Sequence, residues 1–235
     1  MVSIYGTEGQ LLEHLALHGQ LSISQLKRES GLSYPTVFYS TSSIPIVSFE
    51  KIGKEKKARI RDDVIDIVYP FLISMQTSKE KRVQLAIAYL ARKGLDKPLI
   101  GGELALQMQL YVKDAEPDPQ VEIRTSHPSK LRNYLKKALQ GKICTELLSS
   151  IQIVRDSYLS PATRMGLISV SKPEKLLVDA IAEHKPAVLI ENIAEAIVNS
   201  SRAINTKLLE SYAGMRGVLK ETQNEIKKAQ ESGFP

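Results

Sequence analysis

Residues 33 to 61 bring together two kinds of side chain that a nucleic acid can meet. Ser33, Tyr34, Thr36, Tyr39, Ser40 and Ser43 offer hydroxyls and ring edges in a stretch that carries no charge. In a major groove, hydroxyls reach base edges while apolar ring and methyl groups touch thymine methyls. Lys51, Lys54, Lys56, Lys57, Arg59 and Arg61 follow at once, opposed only by Glu50 and Glu55. Cations at that density neutralise phosphates, and each contact adds about 0.9 to the salt dependence of affinity. Phosphates would position the protein and base edges would specify the site.

These groups act together only if the local elements hold them. Thr7-x-x-Gln10 and Ser22-x-x-Gln25 read as capping boxes that start two helices. Leu11, Leu12, Leu15 and Ala16 form an apolar face on the first helix, Ile23 and Leu26 on the second. Gly31 supplies a positive φ for a sharp turn, Ser33 caps a third helix, and Pro35 falls where no amide hydrogen bond is required. Val37 and Ile44 dock that helix, leaving the hydroxyl and ring set on its exposed side. Gly53 marks the tip of a hairpin between β-compatible Val47, Phe49 and Ile60. Lysine-rich hairpins are often only solvated surface. The order of helix, capped helix, glycine turn, capped helix and basic hairpin is that of a winged helix-turn-helix.

A second basic set, Lys130, Arg132, Lys136 and Lys137, with Lys142 beyond, surrounds a helix whose Leu131, Leu135 and Leu139 face inward. It could add phosphate contacts without adding sequence specificity. Catalytic constellations are absent from the pattern. His14 and His18 stand at i, i+4, yet Leu15 occupies the place of a zinc protease's glutamate and no third ligand is evident. Cys144 has no neighbouring histidine and reads as a small core residue. No Gly-x-Ser-x-Gly elbow occurs. No catalytic residue, metal or cofactor is therefore expected.

Composition is consistent with this. A chain of 235 residues can build two modest cores, and its net charge of +6 suits a polyanion. A single cysteine excludes an intramolecular disulfide and fits a reducing cytoplasm. The apolar runs are too short to cross a bilayer, and the N-terminus lacks a basic segment followed by an apolar one. A soluble cytoplasmic protein, without a signal peptide, is expected.

Three regions are expected: a winged helix-turn-helix over 1–69, a mixed α/β domain over 70–205 and a helical extension over 206–235. The first boundary is placed at Tyr69-Pro70. Helices are predicted over 78–93, 129–139, 173–183 and 191–199, with another holding Leu104, Leu106, Met108 and Leu110. Strands are predicted at 98–102, 121–125, 151–154 and 167–170, and 114–119 reads as an acidic, proline-bearing loop. Ser171-x-x-Glu174 reads as a further capping box, with Asp179 a surface or hydrogen-bonded helix residue. One long polar helix is predicted over 206–230.

Two segments of the second region, Ile100-Gly-Gly-Glu-Leu-Ala-Leu-Gln-Met108 and Ser171-Lys-Pro-Glu-Lys-Leu-Leu-Val-Asp179, resemble the most recognisable stretches of AbiE-type antitoxins. The first resembles their strand-turn-helix with small residues before an Ala-Leu helix, the second their Ser-Pro-Glu-Arg-Thr-Leu-Val-Asp segment. This chain departs from the pattern in carrying Lys172 before the proline and in a longer C-terminal helix. The resemblance implies an α/β (α+β) protein: an N-terminal winged helix-turn-helix, then a domain similar to degenerate nucleotidyltransferases. It also implies a repressor of its own operon that opposes a nucleotidyltransferase toxin in a type IV toxin-antitoxin system, without requiring direct contact with it.

An active nucleotidyltransferase needs two carboxylates on one strand to hold magnesium on a triphosphate. Gly101-Gly102 can pass for its glycine turn, but the strand reads Pro119-Gln-Val-Glu-Ile-Arg124 with Glu122 as its one carboxylate, while Asp114 and Asp118 lie in the proline-bearing loop. The reading of the sequence is a non-enzymatic, sequence-specific regulator that binds double-stranded DNA as a monomer or homodimer. The alternative is a DNA-binding adaptor in plasmid or replication maintenance.

Overall fold

A computed structural model describes residues 6–95, 98–110, 121–139, 141–200 and 205–232. The fold is mixed α+β, with two sheets among the described residues, and divides into two compact units. The first comprises Met1–Lys97, Ser129–Ser150 and Arg164–Ile168; the second comprises Pro98–Pro128, Ile151–Thr163 and Ser169–Pro235. The expected loop at 114–119 lies outside the described residues.

In the first unit the chain runs α1 (Gly6–His18), β1 (Leu21–Ser22), α2 (Ile23–Ser30), α3 (Tyr34–Ser43), β2 (Val47–Ile52), β3 (Glu55–Ile60), α4 (Ile65–Met75) and α5 (Lys79–Arg92). The strands form an antiparallel sheet in the order β1-β3-β2. Leu11, Leu15, Leu26, Val37, Ala58 and Ile60 bury the junction of the first three helices with this sheet. Helix α5 packs against both α1 and α4, and the Tyr69 hydroxyl of α4 donates to Ala16 O of α1 at 2.7 Å. Arg92 fixes the base of the hairpin, donating from Nη2 to Ile60 O at 3.1 Å and to Asp62 Oδ1 at 2.7 Å. Helices α7 (Pro128–Ala138) and α8 (Lys142–Ser149) complete the unit, with Leu131, Leu135 and Cys144 buried. Burial raises the Cys144 thiol pKa, as befits a core position.

Two local expectations for this unit fail in informative ways. Helix α1 starts at Gly6, so Thr7 is already inside it, and Gln10 donates instead to Ser30 O at 3.0 Å. Among the described residues no Thr7–Gln10 capping box forms. Tyr69-Pro70 is no boundary, because α4 runs through it with Pro70 in its interior. Burial of Ile65, Val68, Tyr69, Leu72 and Ile73 outweighs the local cost of the proline.

The second unit is organised on a sheet ordered β6-β5-β4-β8-β7, formed by β4 (Leu99–Gly101), β5 (Val121–Thr125), β6 (Ile151–Arg155), β7 (Ala162–Met165) and β8 (Ile168–Ser171). Strand β5 is antiparallel to β4 and parallel to β6, while β4 and β8 are parallel. Helices α6 (Gly102–Gln109), α9 (Pro173–Ala182), α10 (Ala187–Val198), α11 (Thr206–Arg216) and α12 (Leu219–Ser232) belong to it. Ser171 ends β8, so the N-cap of α9 falls on Lys172 and the expected Ser171-Glu174 box does not form. Glu174 instead accepts from the Asn205 amide at 3.2 Å.

The single long C-terminal helix is two helices. Gly217 adopts φ 74°, its amide bonds Gly214 O and the Val218 amide bonds Ala213 O. That is a Schellman stop, which a left-handed glycine makes favourable. Among the described residues no helix is long and apolar enough to cross a membrane.

Candidate nucleic-acid interface

The α2-turn-α3 segment is built by short-range hydrogen bonds. The Ser22 amide donates to Gln25 Oε1 at 2.8 Å and the Gln25 amide to Ser22 Oγ at 3.3 Å, which closes the expected box. Gly31 stops α2 at φ 70°, and Ser33 Oγ accepts from the Thr36 amide at 3.3 Å to start α3. Val37 and Thr41 are buried on the inner side of α3. Helical periodicity then turns Tyr39 outward, and it is 72 % exposed.

The hydroxyls on this helix are less free than their exposure implies. Ser33 Oγ and Thr36 Oγ1 share a hydrogen bond of 2.7 Å. Ser43 Oγ lies 3.1 Å from Glu8 Oε1 and 2.8 Å from Ser40 O. Phe38, which the sequence argument passed over, is exposed and stacks on Tyr34 with ring centroids 6.4 Å apart. The overlooked signal is the i, i+4 spacing of the two rings.

The hairpin closes through Gly53 at φ 62° and Lys54, with Lys51 opposite Lys56 and Glu50 opposite Lys57. Its six cations fall into two groups. Arg59 is held by Glu50 at 3.1 Å and by Asp62, and Arg61 by Asp63 at 2.5 Å. The hydrogen bond and charge of Asp63 raise the Arg61 pKa, and Arg61 in turn holds Asp63 below the ordinary carboxylate value. Lys51, Lys54, Lys56 and Lys57 have no carboxylate partner among the described residues. Lys56 lies 4.8 Å above the Phe49 ring, which stiffens the tip without neutralising it. On α7, Lys130, Arg132, Lys136 and Lys137 are all exposed, while Leu131, Leu135 and Leu139 are buried.

His14 and His18 are both half-buried, and burial lowers the His14 pKa. No protein-family model, curated protein or solved structure matches the chain. Its function must therefore be read from these residues and from those of the second unit.

In that unit a buried ionic network replaces the expected lone carboxylate. Arg124 donates to Glu122 Oε1 at 2.6 Å and to both oxygens of Glu183 at 2.7 and 3.0 Å. Lys175, fully buried, donates to Asp156 at 2.8 Å, Asp179 at 2.6 Å and the Tyr212 hydroxyl at 2.7 Å. Of the two expected roles, surface or hydrogen-bonded helix residue, Asp179 takes the second: it is buried and also accepts from Tyr212 at 2.7 Å. Burial pushes the Tyr212 pKa up, reinforced by that hydrogen bond. A Cβ on Gly101 would lie 2.7 Å from Glu122 Oε1 and 2.9 Å from Arg124 Nε. The glycine pair makes room for this ion pair, and the cleft left beside it has a volume of only about 90 Å³.

Proposed function

We propose that the chain is a sequence-specific regulator that binds double-stranded DNA through a winged helix-turn-helix in its first unit. The observation that carries this reading is the pairing, within one compact unit, of an exposed uncharged α3 with a hairpin bearing four unneutralised lysines. Helix α3 would enter the major groove while the hairpin lysines contact flanking phosphates. Lys130, Arg132, Lys136 and Lys137 are candidates for further phosphate contacts.

We further propose that it is an autorepressing antitoxin of the AbiE type. The two segments of the resemblance meet in the second unit, where α6 packs against α9 and Leu176, Leu177 and Val178 are buried. Glu122 faces Arg124 Nε at 2.6 Å and Lys185 Nζ at 3.5 Å. A carboxylate so engaged is a poor magnesium ligand, which favours a structural domain over an active transferase.

The test is a titration of the full chain against the DNA upstream of its own reading frame and against a scrambled duplex, at low and physiological salt. Preferential binding upstream that survives physiological salt and depends on Thr36 and Tyr39 is the expected result. Equal, salt-labile binding to both would reduce the first unit to a basic surface. The antitoxin half predicts that co-expression rescues growth from the toxin encoded beside it.

A further inference from the structure

Helix α3 contains no arginine, lysine, asparagine, glutamine, aspartate or glutamate. In the major groove, guanine is read by paired hydrogen bonds from Arg or Lys, adenine by Asn or Gln, and cytosine by a carboxylate. None of these side chains is available on α3.

What the helix does present is a continuous aromatic surface. Tyr34 and Phe38 stack with an interplanar angle of 7°, and Tyr39 meets Phe38 edge-on with centroids 5.6 Å apart. Phe38 is 43 % exposed although its ring carries no hydrogen-bonding group. On the opposite flank, Ser33 and Thr36 bond one another and Ser43 lies against Ser40 O and Glu8. Polar readout from α3 is thereby restricted, whereas apolar readout is preformed: the rings already lie against one another, so little side-chain entropy is lost on contact.

We propose that α3 selects thymine through its C5-methyl group, with Phe38, Tyr34 and Tyr39 forming the surface that receives the methyls. The inference rests on the DNA-binding reading above. Duplex DNA is the occupant that charge complementarity favours, because Lys51, Lys54, Lys56 and Lys57 of the same unit lack carboxylate partners among the described residues. The target class is double-stranded DNA rich in A·T pairs. Since 5-methylcytosine displays a methyl at the same place in the groove, α3 accepts it where it discriminates against cytosine.

The test uses the full chain and four alternating duplexes of equal length: dA-dT, dA-dU, dG-dC and dG-5-methyl-dC. Removing the thymine methyls is expected to weaken binding roughly fourfold per methyl contacted, and methylating cytosine to strengthen it by a similar factor. Phe38→Ala levels both preferences, whereas Phe38→Leu, which keeps an apolar surface, retains them; circular dichroism verifies that each variant is folded. Equal affinity for dA-dT and dA-dU overturns the thymine proposal while leaving DNA binding in place. Failure to bind any of the four duplexes at low salt overturns both readings. A preference for methylated duplexes that Phe38→Ala leaves intact also overturns the assignment. So does dissociation of a homodimer by Phe38→Ala without any methyl preference, because the rings would then serve self-association.

Discussion

The hairpin of the first unit and the ionic network of the second use the same four residue types to opposite ends. At the hairpin, acids neutralise the two arginines at its base and leave four lysines toward its tip without carboxylate partners among the described residues. In the network, Glu122, Asp156, Asp179 and Glu183 are matched by Arg124, Lys175, Lys185 and Arg216, and the core of the set is buried. A cation in water with no protein partner can exchange its counterions for phosphates. A buried ion already surrounded by partners would lose their charges and hydrogen bonds on leaving, and would strand those partners buried and unpaired. Charge alone thus says little about function; how far it is already neutralised says more.

The largest effect should come from breaking the closed network. Lys175→Met leaves Asp156 and Asp179 buried without their central donor, and loss of one partner from such a set costs about 3–5 kcal/mol. The expected result is a lower urea midpoint. An unchanged midpoint would mean that the network is solvated in solution. At the open end, replacing the exposed Lys51 and Lys54 and the half-buried Lys57 together by Ala should change stability by no more than about 0.5 kcal/mol per site. The salt slope of DNA binding should fall by about 2.7 if all three meet phosphates. A comparable fall on changing Arg59 alone would contradict the division between neutralised and free cations.

The difference also explains which parts were legible in the sequence. The α2 box, the Gly31 turn, the Ser33 cap and the hairpin rest on bonds between residues a few positions apart, so their spacing announces them. The path of α4 through Pro70 was not legible, because burial against distant residues decides it. The closed network joins Lys175 to Tyr212 and Arg124 to Glu183, pairs separated by 37 and 59 positions. Read singly, its members carry no sign of one another. Two local cues were present: Glu122 and Arg124 alternate within an apolar strand, and Lys175 and Asp179 stand at i, i+4 in an apolar helix. Phe38 escaped for a different reason, since an apolar residue on a helix is normally assigned to the core.

Acid should sharpen the contrast by a smaller amount. Burial raises the Asp156 pKa, but hydrogen bonds from Lys175 and the Tyr158 amide, with the charges of Lys175 and Arg124, outweigh it and hold it below the ordinary value. A depressed carboxylate contributes stability that is complete above its unfolded pKa of about 4 and is lost as pH falls through the folded value. Asp156→Asn should therefore lower stability at neutral pH and flatten its decline below about pH 4. Urea midpoints measured from neutral to acid pH would show both, and parallel curves for the two proteins would remove Asp156 from the network's pH dependence.

Asp63 provides the smallest and most selective test. Its pKa is also depressed, by the hydrogen bond from Arg61, but both side chains stand in water, where an isolated ion pair contributes little to folding. Asp63→Asn should leave the acid profile of stability superimposable on that of the parent. In the same variant Arg61 loses its partner and joins the free cations, so the salt slope of DNA binding should rise by up to about 0.9. An increase in slope with no change in stability would show that neutralisation by a neighbouring acid, and not position on the hairpin, is what withholds a cation from phosphate. A change in stability with no increase in slope would place the Arg61–Asp63 pair with the closed network instead.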